Sequence, residues 1–397
     1  MKTRNLIYLA QLEEYDINRI KLWLKNNPKK TVEEIKHHLI WTPKTIFIYI
    51  KTVFLSLFMK NERALLFVLR LLTPFDTLIK KIIVSLATIK YKLCNHNTLT
   101  IGITGSWGKT TVKETLYSIL KQNPNVVLTP SNHNTLLAIA KQALFLSPKT
   151  KIFICEIGAY QLGDIKKVSE IIRPKIGIFT ALGPMHLERF GSLDNILKTK
   201  MELAESLPNT GLFFAPQNLL SKIKTFSLPK NVNYFKNYQE IYYFLGHQFN
   251  ISKSDIDNTL KSLPPVEHRR QIIKNGPITI IDDAYNSNPA GFRLALDTLK
   301  NIQSDTKILI TPGMIEMGSL QFEENQKAAS YAASICDHII IVGQTNQKAL
   351  TKGTQEAKTK VKIHPVPNLK SANELLPSIM SKNSAILYEN DLSDQYF

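Results

Sequence analysis

The residues with the clearest chemical purpose lie at Ile101-Gly-Ile-Thr-Gly-Ser-Trp-Gly-Lys-Thr-Thr111, where an apolar run meets glycines and then Lys-Thr-Thr. That order predicts a strand, a tight turn and the first turn of a helix. Gly105 and Gly108 let the backbone curl with its N–H groups inward, so an anion there meets several donors and the positive end of the helix dipole. Polyphosphate suits such a turn. Ser106 and Thr111 belong to the same cradle, Lys109 reaches the β- and γ-phosphates, and the Thr110 hydroxyl is offered to Mg²⁺. A glycine turn that only packs a helix on a sheet has no use for a lysine at the helix N-terminus, where it opposes the dipole. The common Gly-x-x-x-x-Gly-Lys spacing would put glycine at position 103, which is isoleucine, so the loop points to a subfamily.

Three further polar residues follow apolar runs. Glu156 ends the run through Ile152–Ile154, His186 follows the run that ends near Thr180, and Lys200 falls on a helix expected to begin near Ser192. In an open parallel sheet, ligands gather at the carboxyl ends of the strands, so these groups share an edge with the glycine loop. A carboxylate there is a Mg²⁺ ligand by type and place.

The elements that must position them are legible. Thr98–Thr104, Val126–Thr129, Lys151–Gly158, Lys175–Ala181 and Gly211–Ala215 read as strands alternating with helices, which is a doubly wound parallel sheet. The Lys/Asn/Tyr-rich piece Gln217–Gln248 carries little pattern, a short helix is expected near Ser252–Leu263, and Pro264-Pro265 marks a domain boundary. Beyond it, Ile278–Asp282, Lys307–Thr311, His338–Gly343, Val361–Val366 and Ala385–Tyr388 repeat the αβ rhythm as a second, Rossmann-like domain. The division is therefore 1–97, 98–265 and 266–397. No short-period internal repeat stands out.

Residues 1–97 are different: helical in pattern, poor in glycine, with apolar stretches at Thr45–Met59, Ala64–Phe75 and Ile82–Ile89. Charges such as Lys51, Arg70, Lys80 and Lys81 interrupt them, so they fit a membrane interface better than a clean span; an ordinary soluble helical domain is the alternative. Residues 1–100 carry 17 Lys/Arg against 7 Asp/Glu, over half the chain's net +18. An anionic membrane surface is the expected partner, and no nucleic-acid motif is present. Trp41 and Tyr49 fit an interfacial belt. Cys94, Cys155 and Cys336 form no Cys-x-x-Cys pair and read as small core residues in a reducing, cytoplasmic compartment. No secretory signal is found.

Taken together, the glycine loop, Cys155-Glu156-Ile157-Gly158, His186-Leu-Glu-Arg-Phe-Gly-Ser192, Lys200-Met-Glu202 and Ile281-Asp-Asp-Ala-Tyr-Asn-Ser-Asn-Pro289 resemble the Mur ligases over about residues 98–397. The resemblance is nearest to the D-alanyl-D-alanine-adding members of peptidoglycan synthesis. It implies an ATP- and Mg²⁺-dependent amide ligase that activates a carboxylate as its acyl phosphate. Lys109 would hold the transferring phosphoryl group, Thr110 and Glu156 one Mg²⁺, and His186 a second. Lys200 matches the family's carbamylated lysine. Arg269 matches a hinge arginine, Asn286 and Asn288 the nucleotide-contacting motif, and Asn132, Asn134 and Thr135 an Asn-rich substrate loop.

The resemblance further implies a peptidoglycan precursor and D-alanyl-D-alanine as substrates, other cell-wall enzymes as partners, and a place at the inner face of the cell membrane. The family's first, UDP-binding domain has no counterpart in residues 1–97. A lipid-linked carboxylate, a folylpolyglutamate-synthetase-like reaction and a non-catalytic ATP-binding scaffold are the alternatives.

Overall fold

The computed structural model describes residues 1–397 apart from 29, 33, 35, 36, 131, 132, 265–267, 393–395 and 397. The chain divides into two compact units, one of Lys80–Glu267 with Ile315–Gln321, the other of Met1–Ile79, His268–Met314 and Phe322–Phe397.

In the first unit, β1 (Leu99–Thr104), β2 (Val126–Leu128), β3 (Ile152–Glu156), β4 (Ile176–Phe179), β5 (Leu212–Pro216) and β6 (Asn231–Phe235) form a parallel sheet in the order β2-β3-β1-β4-β5-β6. The central strands are almost wholly buried, as a sheet covered on both faces requires. One face packs Ile101, Ile103, Val112, Leu116 and Ile119. The other packs Phe153, Cys155, Val168, Ile171 and Leu203. β1 lies between β3 and β4, with Ile103 opposite Glu156 and Thr104 opposite Phe179. Three strand ends therefore open side by side. The polar strand β6 was not anticipated: it packs at the sheet edge and only Phe235 is fully buried in it.

In the second unit, β7 (Gln271–Asn275), β8 (Ile278–Asp283), β9 (Thr306–Thr311), β10 (His338–Val342), β11 (Lys362–Val366) and β12 (Ser384–Glu389) run in the order β11-β10-β9-β12-β8-β7. All pair in parallel except β7, which returns antiparallel to β8 at the edge. The Rossmann-like sheet thus carries an added hairpin.

The N-terminal residues are helical: α1 (Thr3–Leu12), α2 (Ile17–Asn26), α3 (Pro43–Ser56) and α4 (Asn61–Cys94). Leu6, Leu9, Ile20, Trp23, Ile48 and Leu65 form a small core among them. α4 is one 34-residue helix that runs through Pro74, although the sequence breaks its apolar character in two. The division between the two units falls inside it. Among the described residues no helix is long and apolar enough to cross a membrane. Cys155 and Cys336 are buried as expected, but Cys94 is exposed: the last turn of α4 presents it, with Leu93, outward.

Candidate active site

β1 runs straight into the glycine loop, and α5 (Lys109–Leu120) starts at its end. Gly108 is the residue before α5 and is left-handed, with φ of 81°. Gly105 has φ of 148°, and a Cβ on it would overlap the Thr180 hydroxyl and come 2.9 Å from the backbone nitrogen of Ala181. Glycine is therefore dictated by contact as well as by dihedral.

The loop is fastened to the exit of β4. Ser106 N donates to the Ala181 carbonyl at 2.7 Å, the Ser106 hydroxyl bonds both N and O of Gly183 at 3.0 Å, and the Thr180 hydroxyl donates to the Trp107 carbonyl. Ser106 is buried by this role. Lys109 curls over the loop, its Nζ donating to the Gly105 carbonyl at 2.8 Å. Thr111 lies two residues further along α5 and is exposed.

The Thr110 hydroxyl donates to Glu156 Oε2 at 2.9 Å, which joins the loop to the end of β3. Asn134 Nδ2 donates to the other oxygen, Oε1, at 3.0 Å. The sequence reading missed a third neighbour, Lys113. It is fully buried one turn along α5, donates to the Thr129 carbonyl at 3.0 Å and lies 3.6 Å from Glu156 Oε2. Its place four residues after Lys109 was the available signal. A hydroxyl and one carboxylate, completed by phosphate oxygens and water, is a donor set that Mg²⁺ accepts.

His186 is left-handed, with φ of 53°, at the start of the short helix Leu187–Phe190. Its Nδ1 bonds Glu316, which also lies 3.7 Å from Arg189. The His186 ring meets the Tyr160 ring edge-on at 5.0 Å, and Arg189 covers Tyr160 at 4.1 Å. Glu316 is 130 positions away in sequence, and no local pattern could have paired it with His186.

Lys200, on the helix Leu193–Glu205 capped by Ser192, is buried. Burial, with the Lys109 charge adding to it, pulls its pKa down to about 7 against the opposing pull of Asp164 and Glu202. Glu202 accepts from the backbone N–H groups of Gly163 and Lys166 and so fixes the neighbouring helix. Lys109, Lys200, His186, Asn134, Tyr160 and Gly105 line one narrow cavity of about 50 Å³. On the other side of the loop, Trp107, Phe235, Tyr238, Thr180, Gln217 and Asn218 line an open cleft of about 760 Å³.

Of the expected substrate loop, Asn134 enters this constellation, Thr135 sits exposed before the helix Leu136–Phe145, and Asn132 lies outside the described residues. Arg269, Asn286 and Asn288 belong to the other unit. There Arg269 stacks on Tyr285 at 4.1 Å, and Asn286 Oδ1 accepts from Ser287 N at 2.8 Å. Asn288 caps the helix Pro289–Asn301 through Gly291 N at 3.0 Å.

A parallel sheet with a glycine loop after its central strand, and Thr110 and Glu156 facing each other across that loop, defines a P-loop nucleotide-binding domain. Residues 103–256 match the Mur ligase middle domain, and residues 268–388 match the Mur ligase glutamate ligase domain. The chain belongs to the Mur ligase family. A UDP-N-acetylmuramoyl-tripeptide–D-alanyl-D-alanine ligase of Buchnera aphidicola (subsp. Baizongia pistaciae) is 32% identical over 267 residues, 56% of this chain and 58% of that protein. The chain thus matches less than two thirds of that relative's length. Crystal structure I of MurF from Acinetobacter baumannii superposes with a TM-score of 0.68 at 22% identity, covering 79% of this chain and 77% of the other. A MurF ligase of Thermotoga maritima in complex with ADP gives 0.66 at 20% identity, covering 79% and 80%. These last two likenesses describe the fold.

Proposed function

We propose that the protein is an ATP- and Mg²⁺-dependent ligase that joins D-alanyl-D-alanine to the terminal carboxylate of a UDP-muramoyl tripeptide. The observation that carries this reading is one cavity shared by the loop lysine Lys109 and the buried Lys200, with Asn134 on its wall bonded to the Glu156 that also pairs with Thr110.

In this reading the loop's N–H groups and Lys109 hold the ATP phosphates, and the aromatic cleft of Trp107 and Tyr238 takes the nucleoside end. Thr110 and Glu156 would hold one Mg²⁺, and His186 a second through Nε2, because Nδ1 is taken by Glu316. Bound metal supplies charge neutralisation at the transferring phosphoryl group. The substrate carboxylate attacks the γ-phosphorus and ADP leaves. The amine then displaces phosphate, loses a proton and becomes the amide nitrogen.

Lys200, at a pKa of about 7, offers the neutral amine that carbamylation by CO₂ requires. The added carboxylate would relieve its conflict with the Lys109 charge. Arg269, Asn286 and Asn288 are assigned to the nucleotide, and Asn132, Asn134 and Thr135 to the carboxylate substrate. Residues 1–97 bring the enzyme to an anionic membrane surface, on the cytoplasmic side where the nucleotide precursor is found.

The test is phosphate release from ATP and Mg²⁺, with UDP-muramoyl tripeptide and D-alanyl-D-alanine omitted in turn. Release that needs both, with the new amide seen by mass spectrometry, is the expected result. Release only with a lipid-linked carboxylate, or with folate and glutamate, replaces the substrate assignment. ATP binding without turnover of any of them is the scaffold outcome.

A further inference from the structure

α4 carries an apolar stripe that stays exposed. Phe67, Leu71, Phe75, Leu78, Ile82 and Leu86 continue at the same spacing to Leu93, each between 47% and 67% exposed. The spacing repeats after 11 residues, as Phe67, Leu78 and Ile89 show, and again as Leu71, Ile82 and Leu93. Eleven residues make three turns with a drift of only about 20°, so the stripe keeps nearly to one face of the helix.

A second line keeps the same period. Arg70, Lys81 and Lys92 are 11 residues apart, Arg63 lies one turn pair before them, and all four are exposed on the flank of the stripe. Two explanations of the stripe fail on these cations. A helix crossing a bilayer would hold Arg70, Lys80 and Lys81 in hydrocarbon. A second copy packed antiparallel on the same stripe would set basic line against basic line, and one packed parallel would set it against the other flank, where Leu72, Ile79 and Lys90 offer no carboxylate.

We infer that α4 lies flat in the headgroup region of an anionic phospholipid bilayer, with its 11-residue apolar stripe in the acyl boundary and its basic line on the phosphates. This rests on the membrane reading above and adds its geometry. α3 supplies a second exposed apolar run, Phe47, Ile50, Phe54, Leu57 and Phe58, beside Lys51. The C-terminal part of α4 is bolted to the ATP-binding unit. Lys90 donates to the carbonyls of Ala143 and Leu146, the Tyr91 hydroxyl bonds Thr100, and Ala87 and Tyr91 enter the core beside Phe153. Docking through the opposite face therefore fixes how the phosphate loop is presented to the lipid.

The experiment uses the full chain and vesicles of phosphatidylcholine with or without phosphatidylglycerol. Binding is expected only to the anionic vesicles and weakened by salt. Reversing Arg70 and Lys81 to Glu lowers it roughly 30-fold, and Leu78→Glu with Leu86→Glu on the order of 100-fold. Nitroxide labels at positions 71, 82 and 93 should report one shallow depth. Depths that increase steadily along the helix overturn the flat geometry and leave the membrane reading standing. No vesicle binding, with a stable dimer in solution that Leu86→Glu dissociates, overturns both. Phosphate release from soluble substrates in the Leu86→Glu protein checks that its fold and chemistry survive.

Discussion

At the scale of single residues the site is a problem of charge placement, and two lysines solve it in opposite ways. Lys109 sits at a helix N-terminus, where only an anion relieves its opposition to the dipole. Lys109→Ala is expected to lower amide formation by about 10²–10³-fold, the usual loss on removing one charge-stabilising group, with an unchanged melting curve. Undiminished turnover would end the ligase assignment. Lys200 instead is buried until its charge is costly. Its folded pKa of about 7 lies below the ordinary lysine value, so the neutral fraction grows as pH rises through 7. With ¹³C-bicarbonate, a carbamate resonance should appear above about pH 7, fade below pH 6 and be absent in Lys200→Ala. An amine that stays charged to pH 10 would contradict the burial argument. Gly105→Ala forces a Cβ against Thr180 and Ala181 at a φ of 148°. It should cost nucleotide affinity more than tenfold, read by calorimetric titration with ADP. Sequence alone singled out Lys109, Thr110, Glu156 and His186, each at a strand exit or a helix start, and Lys200 within the helix that follows. It did not disclose Lys113 or Glu316, whose roles come from packing and from a contact across 130 positions.

At the scale of elements, legibility followed hydrophobic pattern. The buried strands β1, β3, β4, β9, β10 and β12 are apolar runs and were readable, whereas β6 (Asn-Val-Asn-Tyr-Phe) and β7 (Gln-Ile-Ile-Lys-Asn) are edge strands with polar sequences. α4 escaped as a single helix because Pro74 and its charges interrupt hydropathy without interrupting the backbone. Its 11-residue spacing also escaped, since residue types recur there and identities do not. One element pairing carries a pH prediction. β8 and β12 set Asp283 opposite Glu389, both buried, with Glu389 Oε1 accepting from the Ser287 hydroxyl at 2.6 Å and Oε2 without a hydrogen-bond partner among the described residues. Burial, with the Asp282 charge adding to it, pushes Asp283 up to about 6 against the pull of Arg270 and Arg269, and burial with the Asp283 charge pushes Glu389 well above the carboxylate range. For carboxylates raised in the folded state, the native form binds more protons, so stability is greatest at acid pH and falls as pH rises through 6 and beyond. Glu389→Gln keeps the Ser287 bond and removes the charge. It should raise stability at pH 8 by on the order of 1–3 kcal/mol and flatten the pH dependence. A variant that melts lower at pH 8 would show that Glu389 is held ionised by an attractive partner.

At the scale of the whole molecule, the two units share α4, and this decides what a dissection can remove. The ATP-binding unit begins at Lys80, so the last turns of α4 belong to its core. Ala87 and Tyr91 pack with Ala140, Ala143, Phe153 and Cys155, and Ile83 and Val84 pack against the same cluster. Lys90 closes the end of the helix Leu136–Phe145 by bonding the carbonyls of Ala143 and Leu146, and Asn95 Nδ2 donates to the Ser147 carbonyl at 2.9 Å. A chain begun at Lys80 keeps every one of these contacts. A chain begun at residue 98 opens the apolar face of Phe153 and Ala143 to water, and losing the Tyr91 ring alone costs about 3–5 kcal/mol. The longer chain should unfold in urea at nearly the midpoint of the intact protein's ATP-binding unit. The shorter one should unfold at a midpoint lower by more than 1 M, taking a slope of about 1–3 kcal/mol per M, or fail to accumulate. Single variants keep the test sharp where the shorter chain is insoluble: Tyr91→Ala in the intact protein should lower stability by the same order, and Leu93→Ala, on the exposed side, by less than about 0.5 kcal/mol. Equal midpoints for the two truncated chains would mean that α4 ends outside the core, and that lipid contact made through its outer stripe has no rigid path to the phosphate loop.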